Sequence, residues 1–126
     1  MKKLLPPLGL LLTIFLLAGA NGLLLSRFTA RWQDQLLQAE SWAIQEQWDR
    51  AANVLEESYR DWQRAQGYLH VVLAHGAVDG AEAMYHRARA FALAQEPAEF
   101  RAETAGLRTQ LALLAEMEQF SLKNVL

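Results

Sequence analysis

His75, Asp79, Glu82 and His86 are the constellation in this sequence whose types and spacing suggest chemistry. They step by 4, 3 and 4, so an uninterrupted helix would align all four on one face. Neutral imidazoles and carboxylates at such spacing are donors for zinc or another divalent ion. A metal-binding or metal-sensing domain using His75, Glu82 and His86 is therefore one reading of the chain. Local structure competes with it. Gly76 and Gly80 bracket a polar corner, His-Gly-Ala-Val-Asp-Gly, which reads as a turn. Asp79 then fits the N-cap of a following helix, with Glu82 completing a capping-box-like pair. Glu82 and His86 also have an ordinary i,i+4 ion-pair spacing. His70 stands five residues before His75, poorly placed for chelation from one helix. His75 beside the turn reads as a polar contact holding one helix to the next. Structural roles are the expectation for all of these residues, with no metal or cofactor.

Other chemistries lack their residues. With no cysteine, the chain has no disulfide framework, thiolate zinc site or cysteine nucleophile. No G-x-S-x-G, P-loop or G-x-G-x-x-G is present. Glu56, Glu57, Glu116 and Glu118 read as solvated helix faces. The protein is expected not to be an enzyme, and no small-molecule substrate is evident. Beyond residue 25 the chain carries 10 Lys and Arg against 14 Asp and Glu, a net charge of about −4. That balance excludes a simple basic surface for nucleic acid.

The elements around these residues fall into two kinds. Between Leu4 and Leu25 there is no charged residue, and Lys2 and Lys3 stand before the stretch. Twenty-two helical residues would span roughly 33 Å, about the thickness of bilayer hydrocarbon. Pro6 and Pro7 fit a helix start, where proline is tolerated. Residues 1–25 are therefore expected to anchor the chain in the lipid bilayer through residues 4–25. Cleavage near Ala20 competes, because Ala18-Gly19-Ala20 resembles a signal-peptidase site; the mature protein would then be secreted. Leu23, Leu24 and Leu25 continue the apolar run past that site and favour the anchor. Lys2 and Lys3 narrowly favour a cytoplasmic N-terminus over Arg27 and Arg31, leaving residues 26–126 outside the cytoplasm.

Residues 26–126 read as all-α. Apolar positions recur by threes and fours along four stripes. Phe28, Trp32, Leu36, Ala39 and Ala43 form the first, which continues from the apolar segment. Trp48, Ala52, Leu55, Tyr59, Trp62, Leu69 and Leu73 belong to the second. Ala81, Met84, Ala88 and Phe91 form the third, ending before Pro97, and Phe100, Thr104, Leu107, Leu111 and Leu114 the fourth. Residues 120–126 show no periodic run. Ala39, Trp42, Trp48, Ala51 and Leu55 stand at relative spacings 0, 3, 9, 12 and 16. This resembles one tetratricopeptide-like helical hairpin turning near residues 45–47, with no second copy apparent in residues 81–119. One continuous helix from Leu23 to Gln66 is the alternative. The fold expected is an antiparallel bundle of about four helices, made of two stacked hairpins. Its four Trp should fill the core, with Trp32 also placed to anchor at a membrane interface.

Several features together resemble a known family. They are the Met-Lys-Lys start, Trp62, the His75 to Asp79 turn and the helix start at Pro97-Ala98. The Leu107, Leu111 and Leu114 run and the ending Phe120-Ser121-Leu122-Lys123-Asn124-Val125-Leu126 complete the set. The chain is similar to small membrane-anchored helical proteins of Gram-positive, spore-forming-type bacteria, described as a domain of unknown function. Gly76 and Gly80 make the turn more flexible than that pattern. The resemblance implies an anchor and a helical extracytoplasmic domain, and it lends no catalytic residue. The function expected is that of a single-pass membrane protein whose helical domain packs against a partner protein or another copy of itself at the cell envelope. The alanine-rich stretch 81–94 offers close helix approach, within the chain or to a partner.

Overall fold

The computed structural model describes residue 3 and residues 5–125, with no side-chain surroundings given for Val72 or residues 118–125. Leu4, where the apolar stretch was expected to open, and Leu126 lie outside the described residues. Four helices follow in order: α1, Leu5–Ile44; α2, Trp48–Val72; α3, His75–Leu93; α4, Pro97–Val125. No strand occurs among the described residues. Pro6 and Pro7 lie in the first turn of α1, where the amide hydrogens they lack have no helical partner anyway. From there α1 runs unbroken through the apolar segment into the bundle. It ends at Ile44, so a single helix continuing to Gln66 does not form.

The reversal after α1 falls at residues 45–47 without glycine or proline. Glu46 takes a left-handed conformation, φ 62°, and the chain closes a Schellman motif. The Gln47 amide donates to Trp42 O at 2.9 Å, and the Glu46 amide to Ala43 O at 3.0 Å. The reversal after α3 repeats this pattern. Gln95 has φ 53°, the Glu96 amide donates to Phe91 O at 3.0 Å, and the Gln95 amide to Ala92 O at 3.2 Å. A left-handed non-glycine residue costs about 1–2 kcal/mol, which bundle closure must offset at both turns.

The break between α2 and α3 differs from the expected turn over residues 76–80. Leu73 and Ala74 are the extended residues, with ψ 162° and 134°. Helix α3 starts at His75 and passes through both glycines. Asp79 is consequently inside the helix, and Ala74, which has no capping side chain, occupies the N-cap position. The capping box with Glu82 does not exist. Each glycine costs a helix about 1 kcal/mol, and burial of Val78 and Ala81 on the same turns outweighs it.

Helix α1 packs on α2 and α4, and α3 packs on the same two, closing an up-down-up-down bundle around one core. Trp32 and Trp62 meet edge to face at 5.4 Å in its centre. Trp32 is 1% exposed, so its ring packs in the core and is not an exposed interfacial anchor. Trp42 and Trp48 pack against the core from its edge. The core begins at Leu25, which is fully buried although it closes the apolar stretch.

A second copy of the hairpin is present after all. Buried positions 29, 32, 36, 39 and 43 of α1 recur 49 residues later as Val78, Ala81, Tyr85, Ala88 and Ala92. Ala51, Leu55, Ser58 and Trp62 of α2 recur likewise as Phe100, Thr104, Leu107 and Leu111. The register and both Schellman turns repeat while residue types change. Ala51 is matched by Phe100, and Trp48 by Pro97. Size differences compensate across the repeat, since Trp48 packs edge-on against Phe100 at 5.6 Å. Ala81, Ala88 and Ala92 of α3 are buried inside the bundle, letting its helices approach closely, whereas Ala83 and Ala90 are exposed. Helix α4 also continues through residues 120–125, where no periodicity was apparent.

Candidate functional site

The apolar half of α1 projects from one end of the bundle. Residues 5–20 are exposed on every face except at half-buried Ala18, and sixteen helical residues extend roughly 24 Å. Its most apolar window has mean hydropathy 2.2 and is 6% buried, so this helix is long and apolar enough to cross a membrane. A signal sequence would share those properties. Two polar side chains here bond internally, as a lipid environment favours. The Thr13 hydroxyl donates to Gly9 O at 2.9 Å. Asn21 Oδ1 accepts from the Tyr68 hydroxyl at 3.0 Å, which fixes where the packed bundle begins.

The four residues singled out for metal chemistry do lie on one helix, yet they form no common site. His75 to His86 is eleven residues, or roughly 16 Å of helix rise. His75 instead faces His70 across the α2–α3 break, with the two Nδ1 atoms 2.9 Å apart. Their five-residue spacing looked unfavourable on one helix, and the break between the helices is what brings the two rings together. The contact joins α2 to α3 on an exposed surface, where a buried polar contact was expected of His75. Asp79 is exposed one turn further along. Among the described residues no group of three or more His, Asp or Glu is arranged to hold a metal ion.

Glu82 is occupied by protein donors. The Tyr59 hydroxyl donates to its Oε1 at 2.6 Å and the Trp62 indole N–H to its Oε2 at 2.7 Å. His86 Nε2 lies 3.2 Å from Oε1. Burial pushes this carboxyl towards its proton, but the Tyr59 and Trp62 donors and His86 outweigh burial and hold it below its usual range. Tyr59 moves the opposite way, raised by burial and by its bond to Glu82. Beneath them Tyr85, raised by burial, shares a 2.8 Å hydrogen bond with Ser58. The arrangement is a polar clasp between α2 and α3.

Two further groups were not apparent from spacing. Glu40 accepts from Thr104 Oγ1 at 2.8 Å and pairs with Arg108 at 3.1 Å, clasping α1 to α4. Its only local signal is a charged residue beside Ala39 in an apolar stripe. Between α1 and α2, a groove of about 440 Å³ is lined by Leu24, Phe28, Trp32, Ala65 and Tyr68, with Arg31, Asp61 and Arg64 at its rim.

These features define a class of protein: a closed four-helix bundle carried on an N-terminal helix able to span a bilayer. Within that class, the chain belongs to the family of the domain of unknown function DUF4363, whose model matches residues 23–125. The match starts where packing starts, near Asn21 and Leu25. No curated protein and no solved structure matches the chain.

Proposed function

We propose that the chain is a non-enzymatic single-pass membrane protein whose bundle mediates protein–protein interaction at the cell envelope. The observation that carries this reading is the bare apolar half of α1, which finds no cover within the bundle. Retention is favoured over cleavage near Ala20 because the helix is unbroken through Ala18-Gly19-Ala20. Leu23 also stays 68% exposed beyond that site. Lys2 and Lys3 favour a cytoplasmic N-terminus, which leaves the bundle extracytoplasmic.

The surface best suited to a partner is the end of the bundle away from the anchor. Ile44 and Leu93 hold equivalent positions at the two Schellman turns and are 61% and 84% exposed. A cleft of about 550 Å³ beside them is lined by Ile44, Trp48, Pro97 and Arg101, among others. Because the chain has no cysteine, single-cysteine variants report cleanly. I44C and L93C should each give a discrete crosslinked adduct in native membranes, whereas E57C, on the bundle flank, should not. Monomer alone at both tip positions would overturn the interaction reading. The intact mass of the membrane-extracted protein tests the anchor separately, since cleavage would leave Asn21 first.

A further inference from the structure

We propose that the groove between α1 and α2 binds an anionic phospholipid of the bilayer, an inference that rests on the anchored reading above. One acyl chain would lie along Leu24, Phe28 and Ala65, with its phosphodiester between Arg31 and Arg64. Depth is the first argument. About 30 Å of hydrocarbon corresponds to about twenty helical residues, so a span opening at Leu5 ends near Leu24. Phe28 and Arg31 then stand roughly 6 and 10 Å further out, in the interfacial layer, within reach of side chains that snorkel. The apolar floor of the groove is thereby continuous with the apolar surface of the anchor, and lipid is the material already present there.

Charge is the second argument. Arg31 Nη2 lies 3.3 Å from Asp61 Oδ2, and Arg64 Nη1 lies 3.6 Å from Asp61 Oδ1. Gln35 Nε2 also donates to Asp61 Oδ2 at 3.0 Å. One carboxylate shared by two guanidiniums leaves a net positive charge at the rim, in a domain that is otherwise acidic. Both arginine side chains are mostly exposed, 68% and 79%, so these ion pairs are weak and leave guanidinium N–H groups for a phosphate. Basic pockets beside a membrane helix are suited to anionic headgroups, and arginine matches phosphate geometry.

The test uses the full chain reconstituted in phosphatidylcholine vesicles, with flotation as the first readout. Trp32 lines the groove, so brominated acyl chains report occupancy by quenching tryptophan fluorescence. Brominated phosphatidylglycerol should quench more strongly than brominated phosphatidylcholine at equal mole fraction. The double variant R31Q/R64Q should lower that preference by about thirtyfold, at about 1 kcal/mol for each arginine near a charged surface. R60Q, an exposed arginine on α2 outside the groove lining, should leave it unchanged. Unaltered far-UV circular dichroism of R31Q/R64Q assigns the loss to the site. Equal quenching by both lipids, a preference surviving R31Q/R64Q, or an equal loss in R60Q would overturn the inference alone. Failure of the wild-type chain to float would overturn the anchored reading, and this inference with it.

Discussion

The two halves of α1 are one continuous helix built for different surroundings. From Leu8 to Leu17 large apolar side chains point in every direction, and Leu10, Leu12 and Leu16 are each more than half exposed. From Leu25 to Ala43 burial follows a single stripe: Leu25, Thr29, Trp32, Leu36, Ala39 and Ala43. Total hydrophobicity does not separate a membrane helix from a bundle helix as well as its periodicity does. A helix that is apolar all round needs apolar surroundings all round, whereas a stripe needs one neighbouring face. The change falls at residues 21–25, where Asn21 meets Tyr68 and Leu25 enters the core.

The sharpest way to break this contrast is to place one charge in each half. Leu36 is fully buried, so Leu36→Asp strands a carboxylate in the core. It should cost more than about 4 kcal/mol, enough to abolish the cooperative thermal transition of a marginally stable bundle. Leu12→Asp should leave that transition in place, because Leu12 is 61% exposed and is not one of the buried core residues. It should instead weaken membrane partitioning by about 2.5–3.5 kcal/mol, read as protein lost from the floated fraction. If both variants unfolded alike, the two halves would not be distinct.

How far this organisation was legible depended on how local each signal is. The apolar run, the turn at residues 45–47 and the Trp32–Trp62 core follow from patterns within one or two helical turns. The α2–α3 break does not, because Leu73 and Ala74 carry no turn chemistry and the nearby glycines draw attention away. The second hairpin was obscured because register repeated while residue sizes were exchanged, as with Ala51 and Phe100. Glu40 meets Thr104 and Arg108 across 64 and 68 residues, a pairing that no spacing rule reaches. The same distance effect divided the His75, Asp79, Glu82 and His86 set. Helical phase aligned the four, but His75 meets His70 and Glu82 meets Tyr59 and Trp62, all on α2, while His86 pairs with Glu82 and Asp79 stays exposed.

Smaller perturbations refine the contrast within the packed half. Glu82→Gln keeps the size of the side chain but removes the charge that accepts from Tyr59 and Trp62. A loss of about 1–3 kcal/mol is expected near neutral pH, measured by urea unfolding. The sign of the pH dependence follows from the lowered carboxyl. The unfolded chain takes up this proton near the usual 4.5, and the folded chain does so only at lower pH. The clasp's contribution is therefore complete above that value and fades as pH falls through the folded one. The difference between wild type and Glu82→Gln should shrink on acidification below about 4.5. A difference that stayed constant with pH would show that the Glu82 charge does not contribute through the clasp. The smallest effect is expected at the tip: Ile44→Ser and Leu93→Ser should change stability by less than about 0.5 kcal/mol. Their effect should fall instead on the crosslinked adduct.

The central claim is that α1 changes from all-round lipid contact to one-sided packing near residues 21–25. Spin labels on single cysteines from position 8 to position 43, in the full chain reconstituted in vesicles, test it position by position. Oxygen accessibility should be uniformly high through position 20, and a 3.6-residue periodicity should appear only beyond it. Periodicity running through residues 8–20, or accessibility there to a water-soluble relaxant in place of oxygen, would contradict the account.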